Sequence, residues 1–425
     1  MTTGTSTIKD IKRLTEHFKY VRSMFEQIAA PLETEDFVIQ SVEDVSPPKW
    51  HLAHTTWFFE QVVLESYIKN YKPYNKDYYF LFNSYYNSFG ERTIRQHRGT
   101  LSRPTVEEVF TYRKEVEKRV LEFLSTVDDK VVNEVYDLIE LGINHEQQHQ
   151  ELMLADTKWN FGENPLLPLY KKTKQSQFVD AVEHHWIPFS GGVVDIGFDS
   201  PEFSYDNEQP KHKALIHDFK LSNRLVTCGE YLEFIQDGGY EKPNLWLDEG
   251  WTMVNTQDIR KPQYWHKIDG KWQIFTLGGL KELNLHEPVC HVSMYEAAAF
   301  ARWAGARLAT EFEWEHASNS VEEQESNFLE SDYLHPSVLT DDSPKLQQMI
   351  GDLWEWTSSA YLPYPGYKQE EGALGEYNGK FMSNQIVCRG GSCITPKSHF
   401  RNTYRNFFQP DKRWVVLGFR LAKDA

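Results

Sequence analysis

His145 and His149 stand four residues apart in the run Asn144-His145-Glu146-Gln147-Gln148-His149. On a helix, that spacing stacks two imidazoles on one face, one turn apart. Two imidazoles so placed can hold one metal ion, and imidazole suits Fe(II), Zn(II), Cu(II) and Ni(II) alike. A second pair, His51 and His54, lies upstream in Trp50-His51-Leu52-Ala53-His54, also at helical spacing. Of the two, His54 sits deeper, among Ala53, Trp57 and Phe58, and is the expected third ligand. His51, nearer the helix start, reads as a supporting or structural residue. The same run satisfies HExxH, in which a zinc peptidase would use Glu146 as general base. Leu152 and Leu154-Ala155 occupy the region where the glycine and third histidine of the metzincin extension should follow. A downstream third ligand such as Glu183 would have to come from a linker.

Long amphipathic helices must position these groups. Ile8, Ile11, Leu14, Phe18, Val21, Met24, Phe25 and Ile28 recur at three and four residues, as one buried helix face requires. A second helix is predicted from about Ser46, with Pro47 in its first turn, to about Tyr67. A third starts at Thr105 with Glu108 in capping-box spacing. A fourth is expected from about Val131 to Leu154, with Leu138, His145, His149 and Leu152 on its inner face. Four such helices predict a bundle, an architecture that builds metal sites from facing helices. Between the second and third, residues 70–103 form a connection too long for a simple turn, and they carry Tyr85, Tyr86, Arg92, Arg95 and Arg98.

From about residue 185 the pattern changes to short strand-like runs separated by Gly and Asn turns. Capping boxes predict helices after Thr227, Ser293 and Thr310, the second stopping at Gly305. The expected organisation is α+β. A four-helix bundle over residues 1–170 carries the metal ligands, and an irregular second domain covers 185–425.

A net charge of −17 over 425 residues speaks against nucleic acid and anionic membranes as partners. No apolar run reaches membrane-spanning length. The polar start Met1-Thr2-Thr3-Gly4-Thr5 lacks a signal-peptide core. Cys228, Cys290, Cys388 and Cys393 are dispersed, without a CxxC pair. These features predict a cytoplasmic protein with free thiols. A homo-oligomer is left open.

Several strings in the second half resemble the formylglycine-generating-enzyme-like domain, whose fold is an irregular, C-type-lectin-like α+β unit. They are Asp206-Asn207-Glu208-Gln209-Pro210, Pro288 to Ala297, Arg302 to Glu315, Gly351-Asp352-Leu353-Trp354-Glu355-Trp356-Thr357, Arg389-Gly390-Gly391-Ser392 and Gly418-Phe419-Arg420-Leu421-Ala422. The copper-binding cysteines of true formylglycine-generating enzymes fall at Thr395 and Phe400 here, with Cys393 out of place, so copper oxidase chemistry is not expected. Ser46 to Glu60 and His145 to Glu151 resemble the DinB-like bundle. The two together resemble the ergothioneine-biosynthesis sulfoxide synthases.

That resemblance implies a non-haem Fe(2+) held by His54, His145 and His149. It also implies O2-dependent joining of a thiol to C2 of the imidazole of hercynine (N-alpha-trimethylhistidine), with oxidation of the sulfur to a sulfoxide. Tyr85 and Tyr86 are the expected proton donors, with Tyr361 and Tyr364 in reserve. Arg95 and Arg98 are candidate carboxylate ligands, because guanidinium pairs with carboxylate through two parallel hydrogen bonds. Gln148, between the ligand histidines, is placed for the hercynine imidazole. Asn402, Phe407 and Phe408 match a pocket for the trimethylammonium substrate. Users of gamma-glutamylcysteine carry an Asp and an Arg where Tyr404 and Phe408 stand here, so free cysteine is the expected donor. The other readings are gamma-glutamylcysteine as donor, related C–Se chemistry or another histidine derivative, a zinc peptidase, and a non-catalytic lectin-like module.

Overall fold

The computed structural model describes residues 10–84, 92–128, 130–174, 179, 182–321, 326–369 and 378–425. The chain divides into two compact units. The first is built on residues to Glu163 and includes the short segment Ser200–Phe203. The second comprises Asn164–Asp199, Ser204–Gln369 and Asn378–Ala425.

The first unit is helical. Helix α1 (Ile11–Ala29) starts at Asp10, whose carboxylate accepts the amides of Lys12 and Arg13. It buries Leu14, Phe18, Val21, Phe25 and Ile28, together with Arg22. Helix α2 (Pro48–Phe58) has Pro48 in its first turn and is buried along its whole length. It continues as a π-helical stretch, Phe59–Leu64, and ends at Tyr67. Wide turns of this kind concentrate near functional sites. This one brings Glu60 inward, where it accepts from the hydroxyls of Tyr71 and Tyr112 and the amide of Tyr74, each at 2.8 Å. Short helix α3 (Asp77–Phe82) follows. Helix α4 (Val106–Leu124) begins at the predicted Thr105–Glu108 capping box.

Helix α5 (Val132–Gly162) runs two turns beyond the expected end at Leu154. Its inner face also differs from expectation. Val135 and Ile139 are buried, while Leu138 and Leu152 are only half-buried. From Leu141 onward the helix is enclosed nearly all round, so a single amphipathic stripe does not describe it. Its buried set includes His145, Glu146, Gln147, His149, Gln150, Asp156 and Asn160. Each such polar group costs free energy unless it finds a partner. Gln150 donates to the Val21 carbonyl at 2.8 Å, and the Asn160 side-chain oxygen accepts from the amide and hydroxyl of Ser41.

The second unit is β-rich. Four strands form one sheet: β1 (Trp186–Phe189), β4 (Phe219–Ser222), β13 (Leu421–Asp424) and β8 (Arg307–Leu308), in that order. A second sheet runs β11 (Asn406–Phe408), β10 (Ile386–Arg389), β9 (Trp354–Ala360), β12 (Leu417–Gly418), with β12 parallel to β9. A hairpin of β2 (Gly192–Ile196) with β3 (His212–Ile216) and a meander of β5 (Trp265–Ile268), β6 (Lys271–Thr276) and β7 (Gly279–Glu282) complete the strands among the described residues. The predicted capping boxes at Thr227, Ser293 and Thr310 open helices α6 (Cys228–Gln236), α8 (Met294–Trp303) and α9 (Glu311–Ser318). The intervening helix α7 (Asp248–Thr256) was not expected. It lacks a side-chain cap and contains Gly250, where a Cβ would lie 2.6 Å from that of Tyr295. Close packing on a neighbour, which has no local signature, holds it in place.

The motifs of this unit hold it together. Arg420 clasps Glu355 of the Trp-Glu-Trp-Thr strand in two bonds, 2.8 and 3.1 Å, with both residues buried. Arg389, opening the Arg-Gly-Gly-Ser turn, reaches Glu311 and Glu315 at 3.2 and 2.7 Å. Gly390 and Gly391 follow at φ 107° and 75°, backbone that residues with a Cβ rarely adopt. These buried pairs tie the strings together inside the unit.

Candidate metal centre

Helices α2 and α5 bring together the three predicted ligands. His54, His145 and His149 each offer one ring nitrogen, and these nitrogens all lie within 4.8 Å of one another. They are the only group of three or more His, Cys, Asp or Glu side chains among the described residues arranged to share an ion. All three are buried. The Nε2 atoms of His54 and His145 face each other at 3.2 Å. Two imidazole nitrogens bound to one ion at about 2.1 Å stand roughly 3.0–3.4 Å apart, depending on the angle between them. The observed separation fits that span.

Hydrogen bonding settles which nitrogen of His54 faces inward. Its Nδ1 lies 2.6 Å from the carbonyl oxygen of Phe82, at the end of α3. A carbonyl can only accept, so Nδ1 carries the proton and Nε2 presents its lone pair to the cluster. Trp50 stacks on the His54 ring at 4.5 Å and 12°, and Trp57 lies on it at 5.7 Å and 14°. Burial lowers all three imidazole pKa values, that of His145 to about 3 despite the nearby Glu146 carboxylate. At His54 and His149 the neighbouring imidazoles add to the effect of burial. The rings are therefore neutral, the form a metal ligand needs.

Behind His149 stands His51. Its Nδ1 is 2.8 Å from Nδ1 of His149, and its Nε2 is 3.0 Å from Oδ2 of Asp156. Asp156 also accepts the Ser46 amide at 2.7 Å. His51, expected to be a supporting or structural residue, thus lies between His149 and Asp156. Asp156, one of several acidic residues on α5, carried no signal in the sequence that could have singled it out.

Glu146 points elsewhere. Its carboxylate is buried between Arg22, at 2.8 Å, and Arg113. Burial pushes its carboxyl up, but the two guanidinium groups outweigh this and hold it below the usual range. Adjacent helix residues point about 100° apart, so the HExxH glutamate faces a buried ion pair and not the histidine cluster.

Arg98 is buried, and its guanidinium lies 3.4 Å above the Trp50 ring, on which His54 also stacks. It donates to the hydroxyls of Ser46 and Ser84 at 2.9 and 3.0 Å. Arg95 is exposed, and its guanidinium reaches the Asp44 carbonyl. Gln148, half-buried, follows His145 by three residues on the same side of α5. Tyr85 and Tyr86 lie outside the described residues. The reserve tyrosines belong to the second unit, with their hydroxyls engaged there. Tyr361 accepts from Asn207 at 2.8 Å, and Tyr364 meets Arg389 and Glu311.

In that unit Asn402 is half-buried, and its carbonyl accepts from Arg389 at 3.1 Å. Phe407 stacks on Tyr361 at 4.0 Å, and Phe408 meets Trp414 edge-on at 5.8 Å. Tyr404, where gamma-glutamylcysteine users carry an Asp, is buried with its hydroxyl 3.1 Å from Nε2 of His399. At the place of the copper cysteines, the Thr395 hydroxyl accepts the Ser392 amide. Cys228, Cys290, Cys388 and Cys393 are all buried. No helix among the described residues is long and apolar enough to cross a membrane.

Comparison with known proteins places both halves. Residues 17–153 match the DinB superfamily, and residues 174–425 match the sulfatase-modifying factor enzyme 1-like domain. The hercynine oxygenase of Mycolicibacterium smegmatis is 34% identical over 309 residues, 67% of this chain and 71% of that protein. The hercynine oxygenase of Mycobacterium tuberculosis is 31% identical over 303 residues, 66% of this chain and 70% of that protein. Ergothioneine biosynthesis protein 1 of Schizosaccharomyces pombe is 29% identical over 234 residues, 52% of this chain and 28% of that much longer protein. A DinB-type bundle joined to a sulfatase-modifying-factor-like domain, with such identity across more than two thirds of a hercynine oxygenase, shows that the chain belongs to the hercynine oxygenase family.

Proposed function

We propose that this chain is an iron(II)-dependent sulfoxide synthase of ergothioneine biosynthesis, joining the thiol of cysteine to C2 of the imidazole of hercynine with O2. The observation that carries the reading is the convergence of His54, His145 and His149, taken with relatives named as hercynine oxygenases. In the overall reaction the thiol S–H and the imidazole C2–H are lost and a C–S bond forms. One atom of O2 ends on sulfur and the other leaves as water, so the two substrates supply all four electrons.

Fe(2+) held by the three histidines would supply the redox chemistry with O2. The residues of the chain do the rest. Three neutral imidazoles bring no negative charge to the centre, so an anionic thiolate is the complementary partner. Arg98, set on Trp50 beside the cluster, suits a substrate carboxylate, and Arg95 is the second candidate. Gln148, on the ligand face of α5, can donate to or accept from the hercynine imidazole. Tyr85 and Tyr86 are proposed to supply the proton. Asn402, Phe407 and Phe408 are proposed to receive the trimethylammonium end. Tyr404 and Phe408, in place of an acid and a base, favour free cysteine over gamma-glutamylcysteine. A cytoplasmic setting is part of this reading, in keeping with the four buried thiols.

The test is to load the protein with Fe(II) anaerobically, add hercynine and cysteine, admit air and follow the product by mass spectrometry. The sulfoxide of the cysteine–hercynine adduct is expected. Oxidation of cysteine to its disulfide with hercynine untouched would refute the reading. Competition with gamma-glutamylcysteine decides the donor. The seclusion of Glu146 between Arg22 and Arg113 speaks against the zinc-peptidase alternative.

A further inference from the structure

We infer that His51 and Asp156 form a positioning relay that fixes the tautomer and orientation of His149, presenting its Nε2 to the metal. The inference rests on the reading of the three histidines as a metal site and adds two residues to it.

The argument follows the hydrogens. Asp156 Oδ2 accepts the Ser46 amide at 2.7 Å, so this oxygen lies where protons arrive. His51 Nε2 stands 3.0 Å from the same oxygen and is the donor to it. A neutral imidazole carries one proton, so His51 Nδ1 is then bare and can only accept. It lies 2.8 Å from Nδ1 of His149. His149 Nδ1 must therefore carry the proton and donate, which leaves Nε2 as the lone pair for the cluster. One chain, from Ser46 through Asp156 and His51 to His149, assigns every proton without a clash. His51 is 2% exposed and Asp156 1%, so water does not compete for these bonds.

Geometry holds the relay as well. His51 is on α2 and both Asp156 and His149 are on α5, so the relay ties the two ligand-bearing helices together behind the cluster. His54 is oriented independently, by the Phe82 carbonyl. Two of the three ligands thus have an identified proton acceptor at Nδ1: a carbonyl for His54 and an imidazole backed by a carboxylate for His149. Partners of this kind orient a ligand and raise its basicity.

The experiment uses Co(II) as probe, read by its visible d–d absorption, on the full chain and on His51→Phe, His51→Asn and Asp156→Asn. Asparagine at position 51 places an amide where Nδ1 sits and can still accept from His149, whereas phenylalanine cannot. The relay predicts that His51→Phe weakens Co(II) binding roughly 10–100-fold, while His51→Asn, which keeps the acceptor for His149 but loses the link to Asp156, weakens it clearly less. In the Zn(II)-loaded parent, long-range 1H–15N spectra should show His149 Nδ1 protonated and His51 Nδ1 bare. Equal affinity of His51→Phe and parent, equal losses in both His51 variants, or a bare His149 Nδ1 would overturn the relay. If His51→Phe does not fold, Asp156→Asn decides. It keeps the shape and removes the charge, so weaker binding with a shifted d–d band supports the relay and unchanged values overturn it. Failure of the parent itself to bind Co(II) would instead strike at the metal reading.

Discussion

Glu146 lies 2.8 Å from Arg22, 124 residues earlier in the chain, with both side chains buried. The residue just before it, His145, points about 100° away around the helix and faces His54. Two consecutive residues of α5 therefore serve two separate tasks, one holding α1 and α4 through Arg22 and Arg113, the other completing the histidine cluster proposed to hold the metal. Glu146→Ala leaves two buried guanidinium groups with only the more distant carboxylates of Glu117 and Glu26, each at 3.7 Å, and should cost about 3–5 kcal/mol, read in a denaturant melt. Glu146→Gln should lose stability yet retain metal binding. If Glu146→Gln abolished metal-dependent peptide hydrolysis, the glutamate would be a general base after all.

Replacing His54 or His145 by Ala should abolish stoichiometric Fe(II) binding, measured by metal analysis after anaerobic loading and desalting. His145→Ala should abolish sulfoxide formation with it. Iron retained at parental stoichiometry in both variants would place the metal elsewhere.

Gly142 sits one turn before His145, facing α2. A Cβ there would lie 2.5 Å from Cε1 of Phe59 and 3.0 Å from Cε1 of Phe58, and the Phe58 ring is 5.0 Å from that of His145. Gly142→Ala gains about 1 kcal/mol in helix propensity but overpacks the contact, which typically costs about 1–3 kcal/mol. The expected result is a net loss of stability together with weaker metal binding. A more stable variant with parental affinity would show that the two helices have room to give.

The Arg98 guanidinium over Trp50 is a buried cation–π contact worth up to about 2 kcal/mol. Arg98→Lys keeps the charge but loses the planar stack and the fork to Ser46 and Ser84. A lower melting temperature and a higher KM for the carboxylate-bearing thiol are expected. If KM is unchanged while stability falls, the residue is a structural one only.

Glu230 gives a pH signature. Burial raises its carboxyl, but Arg224, in two bonds of 2.9 and 3.0 Å, and the Thr227 capping box outweigh this and hold it below its ordinary value of 4.5. Its folded pKa is thus lower than its unfolded one. The stabilisation is complete above that ordinary value and is lost as pH falls through the folded one. The stability gap between the parent and Glu230→Gln should accordingly narrow between about pH 6 and about pH 3. A gap that is constant with pH would show that the carboxylate's charge contributes nothing.

Much of this protein was legible along the chain because it is governed by local rules. The i,i+4 spacing of His145 and His149 forces a shared face on any helix, and capping boxes announce themselves at Thr105, Thr227, Ser293 and Thr310 because the cap and its partner glutamate are only three residues apart. The strings around Trp354, Arg389 and Arg420 were recognisable as a set. The contacts they make, such as the Glu355–Arg420 and Arg389–Glu315 pairs, needed the fold, since those partners lie 65 and 74 residues apart. Which nitrogen of His54 faces the cluster, the placement of Asp156 beside His51 and the seclusion of Glu146 were likewise decided only in three dimensions. The acceptor for His54 is a backbone carbonyl that no residue type encodes, and the partners of Asp156 and Glu146 come from other helices. Periodicity fixes which way a side chain leaves its own helix, whereas what it meets there depends on packing between segments far apart in the chain.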